Sequence, residues 1–349
     1  MSYLAEKINL TNPFEVEEVR GFLGKFDLDF EEGIDYTVAV RRDGAVVATC
    51  SKAKNILKCF AVDDSMQGKG VTNIMIKNLQ DKLFEEGIFH SFIFTKPEYI
   101  NTFESLGYKE VERSERVALL EGGFGGIEKS LKELGKKYGL KGDTSRTALV
   151  MNCNPFTLGH RYLIERASQV SEEVVVFLVE EDRSLFPFKT RLELVRRGVA
   201  DLENVRVVPG GEYIISSATF PAYFLREKGE HLTEYTTLDA KIFGRYFCSY
   251  FNIKKRMVGD EPYCEVTRAY NEALERILKT YGVEVEIVKR KEEDDRAISA
   301  SRVRGSIKEN KGIVRDELIH LLPETTLEFL ETEEGSRIVE KIIVSNTAH

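Results

Sequence analysis

The residues Thr157-Leu158-Gly159-His160 stand where chemistry is most directly suggested by residue type and spacing. The apolar run Ala148–Met151 leads into them through Asn152-Cys153-Asn154-Pro155-Phe156, and an amphipathic helix carrying Leu163, Ile164, Ala167 and Val170 follows. A strand, a tight turn and a helix N-terminus form an anion-binding corner, because the first-turn N–H groups and the positive end of the helix dipole face whatever lies above the strand. Gly159 lets a phosphate approach the backbone, and His160 adds a donor able to become cationic. Thr157 is a turn residue whose hydroxyl also suits an α-phosphate, whereas Asn152 and Asn154 suit side-chain bonds that fix the turn. Far downstream, Ile298-Ser299-Ala300-Ser301-Arg302-Val303-Arg304 sets two hydroxyls at a helix start ahead of arginines. Ser299 reads first as an N-cap and second as a phosphate contact, Ser301 beside it, with Arg304 matched to the outer phosphates. The two segments together imply a nucleotide-binding site.

Other groups carry less. Asp260 and Glu261, between Gly259 and Pro262, read either as solvated loop acids or as contacts to a ligand or magnesium. Arg183 and Lys189 read as surface charges or as reaching a triphosphate. His90, His231, His320 and His349 are scattered without metal-ligand spacing, so no resident metal site is expected. Cys153 has no partner base and is assigned to structure. In the first half, Gln67-Gly68-Lys69-Gly70-Val71-Thr72 opens a helix, and its backbone N–H groups suit a pyrophosphate, although glycines also make ordinary turns.

The elements that position these groups follow from periodicity. Asn12-Pro13 suits a helix start, with Val16, Val19 and Phe22 on its apolar face. Asp43-Gly44 joins the strand-like runs Tyr36–Val40 and Ala45–Thr49 as a hairpin. Asn55–Val62 and Phe92–Phe94 are further strands, separated by a helix carrying Ile74, Ile76, Leu79 and Leu83. A lysine-rich helix over Ile127–Tyr138 is stopped by Gly139 and Gly142. From Ala148 onward strands (Val174–Val179, Val205–Val208, Val283–Val288) alternate with helices, the pattern of a doubly wound parallel sheet that binds ligands at its strand carboxyl ends. The expected division is 1–125, a linker helix at 126–146, 147–305, and a helical extension at 306–349.

Composition sets the frame. A chain of 349 residues exceeds what one core usually supports, which favours two domains. The absence of a long apolar run or a signal-peptide pattern, together with five scattered cysteines, points to the cytoplasm and to no membrane partner. A net charge of -8 argues against a nucleic-acid partner, while leaving room for ATP, whose phosphates answer to the local field.

Thr157–His160 resembles the T/H-x-G-H signature of the nucleotidyltransferase superfamily, in the form with a leading Thr that phosphopantetheine adenylyltransferases carry. Ile298–Arg304 resembles its I-S-S-T-x-x-R element, with Ala300 and Ser301 as departures. Asn152–His160, Ser217–Pro221, Val258–Pro262 and Ile298–Arg304 in that order resemble the citrate lyase ligase family, over nearly the whole chain. Gln67–Thr72 resembles the Q/R-x-x-G-x-G/A loop of GNAT acetyltransferases, with Thr72 where Gly or Ala is usual, and Asn101–Tyr108 resembles their later helix ending in L-G-F/Y. The resemblances imply an α/β chain: a GNAT-like N-terminal domain, then a doubly wound, Rossmann-like nucleotidyltransferase domain. They also imply an ATP- and Mg²⁺-dependent ligase that forms acetyl-adenylate from acetate. It then acetylates the phosphopantetheine-type thiol on the acyl-carrier subunit of citrate lyase. In that scheme His160, Thr157 and Arg304 act on the phosphates. Asn152, Asn154, Gly159, Ser299 and Ser301 bind the nucleotide, and Gln67, Gly68 and Gly70 the pantetheine carrier. Two alternatives stay open: a plain nucleotidyltransferase acting on a phosphorylated pantetheine-type compound, and a GNAT acyltransferase with a regulatory nucleotide domain. A tRNA synthetase reading fails for want of a K-M-S-K-S-like loop and a basic face.

Overall fold

The computed structural model describes residues 3–31, 33–140, 142–180, 184–214, 220, 225, 228–260 and 265–345. They form two compact units, Met1–Ser130 with Phe220–Leu238, and Leu131–Thr219 with Asp239–His349.

The first unit runs β1 (Ala5–Lys7), α1 (Pro13–Gly24), β2 (Tyr36–Arg42), β3 (Ala45–Ala53), β4 (Ile56–Val62), α2 (Val71–Glu85), β5 (His90–Thr95), α3 (Ile100–Glu104), β6 (Lys109–Arg113) and β7 (Ala118–Gly123). Asn12 caps α1 by accepting from the Phe14 N–H, with Pro13 in the first turn, as its sequence requires. Asp43 and Gly44 take φ of 52° and 83°, the left-handed pair that a two-residue hairpin needs. The seven strands are ordered β1-β2-β3-β4-β5-β7-β6 and pair antiparallel except for β4 and β5. That parallel pair registers only at Ile56–Phe92 and Leu57–Ile93, beyond which the two strands part. A bulge follows in β4: Cys59, at φ 56°, and Phe60 together oppose Cys50 where the β3–β4 register shifts. α2 packs Met75, Leu79 and Leu83 on one sheet face with Val38, Leu57 and Ile93, while α1 packs Val19, Phe22 and Leu23 on the other. The later segment returns to this unit, where the Glu234 carboxylate accepts from Ser114 Oγ and, at 3.0 Å, from the Arg116 N–H.

The second unit takes α4 (Ile127–Tyr138) across its boundary, then β8 (Arg146–Met151), α5 (Leu158–Val170), β9 (Glu173–Leu178), α6 (Phe188–Gly198), β10 (Val205–Pro209), only the last turn of α7 (Lys228–Ile242), β11 (Ile253–Gly259), α8 (Glu265–Lys279) and β12 (Glu284–Val288). A small hairpin, β13 (Glu292–Glu293) and β14 (Arg296–Ala297), leads to α9 (Ala300–Glu309), α10 (Arg315–Leu318), α11 (Glu324–Leu330) and α12 (Glu333–Val344). Five parallel strands are ordered β10-β9-β8-β11-β12, so the winding reverses between β8 and β11. One face buries Leu149, Val176 and Met257 against α5 and α6. The other carries Phe177 against Phe243, Phe247 and Phe251, from the π-helical continuation of α7 and the residues after it.

Three expectations change. Residues 306–349 are no separate extension: the 305/306 boundary cuts α9, and Leu318, Leu322, Leu327, Leu330, Ile338 and Ile342 share the core cluster of Leu149 and Val176. The segment 126–146 is no bare linker, because Ile127 and Leu131 on α4 and Leu140 beyond it are buried. On α5, Ile164 and Ala167 are buried but Val170 is 57% exposed, the last turn of the helix having run past the core.

Candidate active site

The reversal between β8 and β11 makes a crevice at their carboxyl ends, the place where open parallel sheets hold ligands. A cavity of about 240 Å³ lies there, walled by Asn152, Gly159, His160, Gly259, Arg290 and Ser299 among others. The two sequence-predicted segments, more than 130 residues apart, therefore meet. Gly159 shows how closely: a Cβ added to it would lie 2.5 Å from the Ile298 carbonyl oxygen. The glycine is required by contact between the start of α5 and the approach to α9, in addition to any room it leaves for phosphate.

Thr157 caps α5. Its Oγ1 accepts from the His160 N–H at 3.3 Å, and the Thr157 N–H donates to His160 Nδ1 at 3.1 Å. This is a capping box with histidine in the place usually held by Glu or Gln. A backbone N–H can only donate, so Nδ1 holds a lone pair and the ring proton sits on Nε2. Burial, and secondarily the positive charge of Arg290, push the His160 pKa down to about 4. The imidazole is thus a neutral Nε2–H donor at pH 7, and the cationic donor expected from its type is not what the fold makes. Thr157 itself is fully buried, with its hydroxyl in the cap rather than on the cavity wall.

The remaining predicted residues divide between wall and support. Ser299 caps α9 by accepting from the Arg302 N–H at 3.2 Å, and its hydroxyl lies 3.0 Å from that of Ser301, which is exposed and off the wall. Asn154 is buried, accepts from the Phe186 N–H at 3.0 Å through Oδ1, and accepts from Arg304 Nη1 through its carbonyl. Arg304 therefore ties α9 to the turn before α5, and burial draws its guanidinium below its usual pKa. Asn152 exchanges bonds with Ser184 Oγ at 3.2 and 3.3 Å. Cys153 is fully buried and burial pushes its thiol up, which leaves no thiolate for catalysis.

Asp260 accepts the Arg290 N–H through Oδ1 at 2.8 Å and Arg290 Nε through its carbonyl at 2.6 Å, so it joins the ends of β11 and β12. Lys189 is exposed and off the cavity wall, and Arg183, Glu261 and Pro262 lie outside the described residues. So does the Ser217–Pro221 segment except for Phe220, which meets Phe94 edge-on at 5.6 Å. Among the described residues no group of three His, Cys, Asp or Glu side chains could hold a metal ion, and no helix is long and apolar enough to cross a membrane.

Sequence reasoning missed Arg191. It is fully buried on α6 and donates to the carbonyls of Asn152 (2.6 Å), Val179 (2.8 Å) and Phe186 (3.0 Å), and to Asn152 Oδ1 (2.8 Å). The guanidinium fastens the ends of β8 and β9 beneath the cavity. The available signal was an arginine within the apolar spacing Phe188, Leu192, Val195.

In the first unit, a cavity of about 470 Å³ opens where β4 and β5 part, with Phe60, Val62, Gln67, Gly70, Thr72 and Lys96 on its wall. Gly68 and Gly70 both take φ 72°, and Gly70 begins α2 without a side-chain cap. Gln67 donates to the Asp64 carboxylate at 2.7 Å.

The second unit is thus a doubly wound parallel-sheet domain with a cavity at its switch point, and the first is an α/β unit on a mostly antiparallel sheet. The family model of the citrate lyase ligase C-terminal domain matches residues 146–330. The chain is 35% identical to the citrate (pro-3S)-lyase ligase of Escherichia coli (strain K12) over 91% of its own length and 90% of that protein's. It belongs to the citrate lyase ligase family. It is also 37% identical over 67 residues to phosphopantetheine adenylyltransferase of Methylococcus capsulatus, covering 19% of this chain and 41% of that protein. Among solved structures, a GCN5-related N-acetyltransferase from Rhodopseudomonas palustris aligns with 36% of this chain and 97% of its own, at 12% identity and a TM-score of 0.30.

Proposed function

We propose that this protein is an AMP-forming ligase that activates acetate with ATP and acetylates the prosthetic-group thiol of the citrate lyase acyl-carrier subunit. The observation that carries the reading is the convergence of Thr157–His160 and Ile298–Arg304 at the switch point of the parallel sheet. Family membership supplies the acceptor.

The chemistry balances in two displacements. An acetate oxygen attacks the α-phosphorus of ATP, pyrophosphate leaves, and the mixed anhydride acetyl-adenylate forms. The carrier thiolate then attacks the acetyl carbonyl, a thioester forms, and AMP leaves. Without a covalent nucleophile of its own, the protein's share is positioning and stabilisation of charge as it builds on the phosphates. The α5 N-terminus and the His160 Nε2–H face the phosphates. Ser299 and the α9 N-terminus face their outer part, and Asn154 with Arg304 holds the two helices in register. Magnesium neutralises phosphate charge when bound.

The first unit receives the carrier's pantetheine arm: the uncapped α2 N-terminus and the Gly68–Gly70 turn suit its phosphates, and the gap between β4 and β5 suits the arm. The test is pyrophosphate exchange into ATP. Exchange should require acetate, and AMP should accumulate only when the deacetylated carrier is added. Exchange driven by a phosphorylated pantetheine compound in place of acetate would favour a plain nucleotidyltransferase, and acetyl transfer from acetyl-CoA without ATP would favour a GNAT acyltransferase.

A further inference from the structure

A neutral His160 leaves the question of which cation meets the triphosphate in a protein whose net charge of -8 repels it. Two cationic side chains lie on the cavity wall among the described residues, Lys289 and Arg290. Lys289 is 75% exposed, so water screens it. Arg290 is half-buried, two residues after the end of β12, and held at two points. Its N–H is fixed on Asp260 Oδ1, and its Nε is fixed on the Asp260 carbonyl. The side chain lies along Gly259, with Cγ and Nε 3.6 Å from where a Cβ on that glycine would sit. Gly259 thus leaves the stem room at the carboxyl end of β11.

We propose that Arg290 is the residue whose charge binds the triphosphate of the nucleotide in this cavity, with His160 serving beside it as an uncharged donor. The assignment rests on the adenylation reading above. Guanidinium is the apt group here: it stays charged when half-buried, and its planar N–H groups match phosphate oxygens in pairs. Asp260 sets its direction through backbone and carboxylate contacts, which makes Asp260 a positioning residue rather than a ligand for the substrate. The division of labour has a physical reason. Two cations in contact would repel, and a single oriented charge next to a neutral hydrogen-bond donor stabilises growing negative charge without that cost.

The experiment is calorimetric titration of the full-length protein with ATP and, separately, with adenosine, for the unsubstituted chain, R290Q and R290K. R290Q should weaken ATP at least tenfold and leave adenosine within twofold, and the salt dependence of ATP binding should become shallower. R290K, which keeps the charge, should recover most of the ATP affinity. In R290Q the His160 ring, followed by NMR in the free protein, should titrate at higher pH. ATP affinity within twofold of normal in R290Q overturns the assignment, as does equal loss for ATP and adenosine, which would mark a structural role. Should R290Q fail to fold, tenfold or greater loss of ATP affinity in folded R290K overturns it. An unsubstituted chain that binds no ATP overturns the adenylation reading and this assignment together. Normal ATP binding and pyrophosphate exchange with an indifferent R290Q overturns the assignment alone.

Discussion

The chain contains two glycine-bearing turns that run from a strand into a helix, and they are built on opposite plans. Before α2, Gly68 and Gly70 adopt left-handed backbone, a Cβ on either would meet nothing within 4 Å, and the helix starts without a side-chain cap. Before α5, Gly159 has ordinary helical backbone, a Cβ would collide with the Ile298 carbonyl, and Thr157 and His160 complete a reciprocal cap. The first turn is open and its glycines are conformational. The second is closed and its glycine is a packing residue that joins two distant motifs. A phosphate-suited helix start can therefore be made by leaving N–H groups uncovered, or by fixing a donor next to them in one orientation.

This contrast makes the closed turn the more fragile. Gly159→Val should have the largest effect, because α5 and the approach to α9 must separate. We expect pyrophosphate exchange to fall by about a hundredfold or more and stability by about 1–3 kcal/mol, read by exchange assay and chemical denaturation. Near-normal exchange in that variant would break the comparison. Next comes His160→Ala, expected to lower kcat by about a hundredfold while moving the ATP KM less. An unchanged kcat would remove His160 from the transition state.

Gly70→Val, in the open turn, should spare pyrophosphate exchange and weaken use of the carrier thiol by about tenfold, the left-handed backbone being strained and the amide cradle covered. Equal loss of both activities in a folded variant would show that the units do not divide the work. Thr157→Ala should cost about 1 kcal/mol of stability through the lost cap, seen as a lower melting temperature.

The last effect is on pH. Folded His160 takes its proton near pH 4 rather than near the ordinary 6.5, so the unfolded chain binds the proton first. Its contribution to stability is complete above about pH 6.5 and is lost as pH falls toward 4. Denaturation at pH 7 and pH 5 should show a smaller difference in His160→Ala than in the parent, and identical differences would contradict the neutral assignment.

The fold was legible wherever local periodicity and turn chemistry decided it. Asp43-Gly44, the Asn12 cap and the span of α4 needed only near neighbours, and the alternation after Ala148 required a doubly wound sheet. The bulge at Cys59 left no signal, since an extra residue in a strand reads as continued strand. The π-helical run Phe243–Cys248 left none either: its Gly244 is explained by Tyr281, whose ring would lie 2.5 Å from an added Cβ.

At the candidate site, the sequence by itself determined the two segments, their residue types and their order, because capping and phosphate binding depend on a few adjacent residues. Only the tertiary structure decided what those residues are in place. It put Ile298 against Gly159, made Thr157 and Asn154 supports rather than wall, and buried Arg191 beneath the strand ends. It also turned His160 into a neutral donor and set Arg290 beside it. Protonation and burial are properties of everything packed around a group, and around His160 that includes Val288, Arg290 and Ile298, all more than a hundred residues away along the chain.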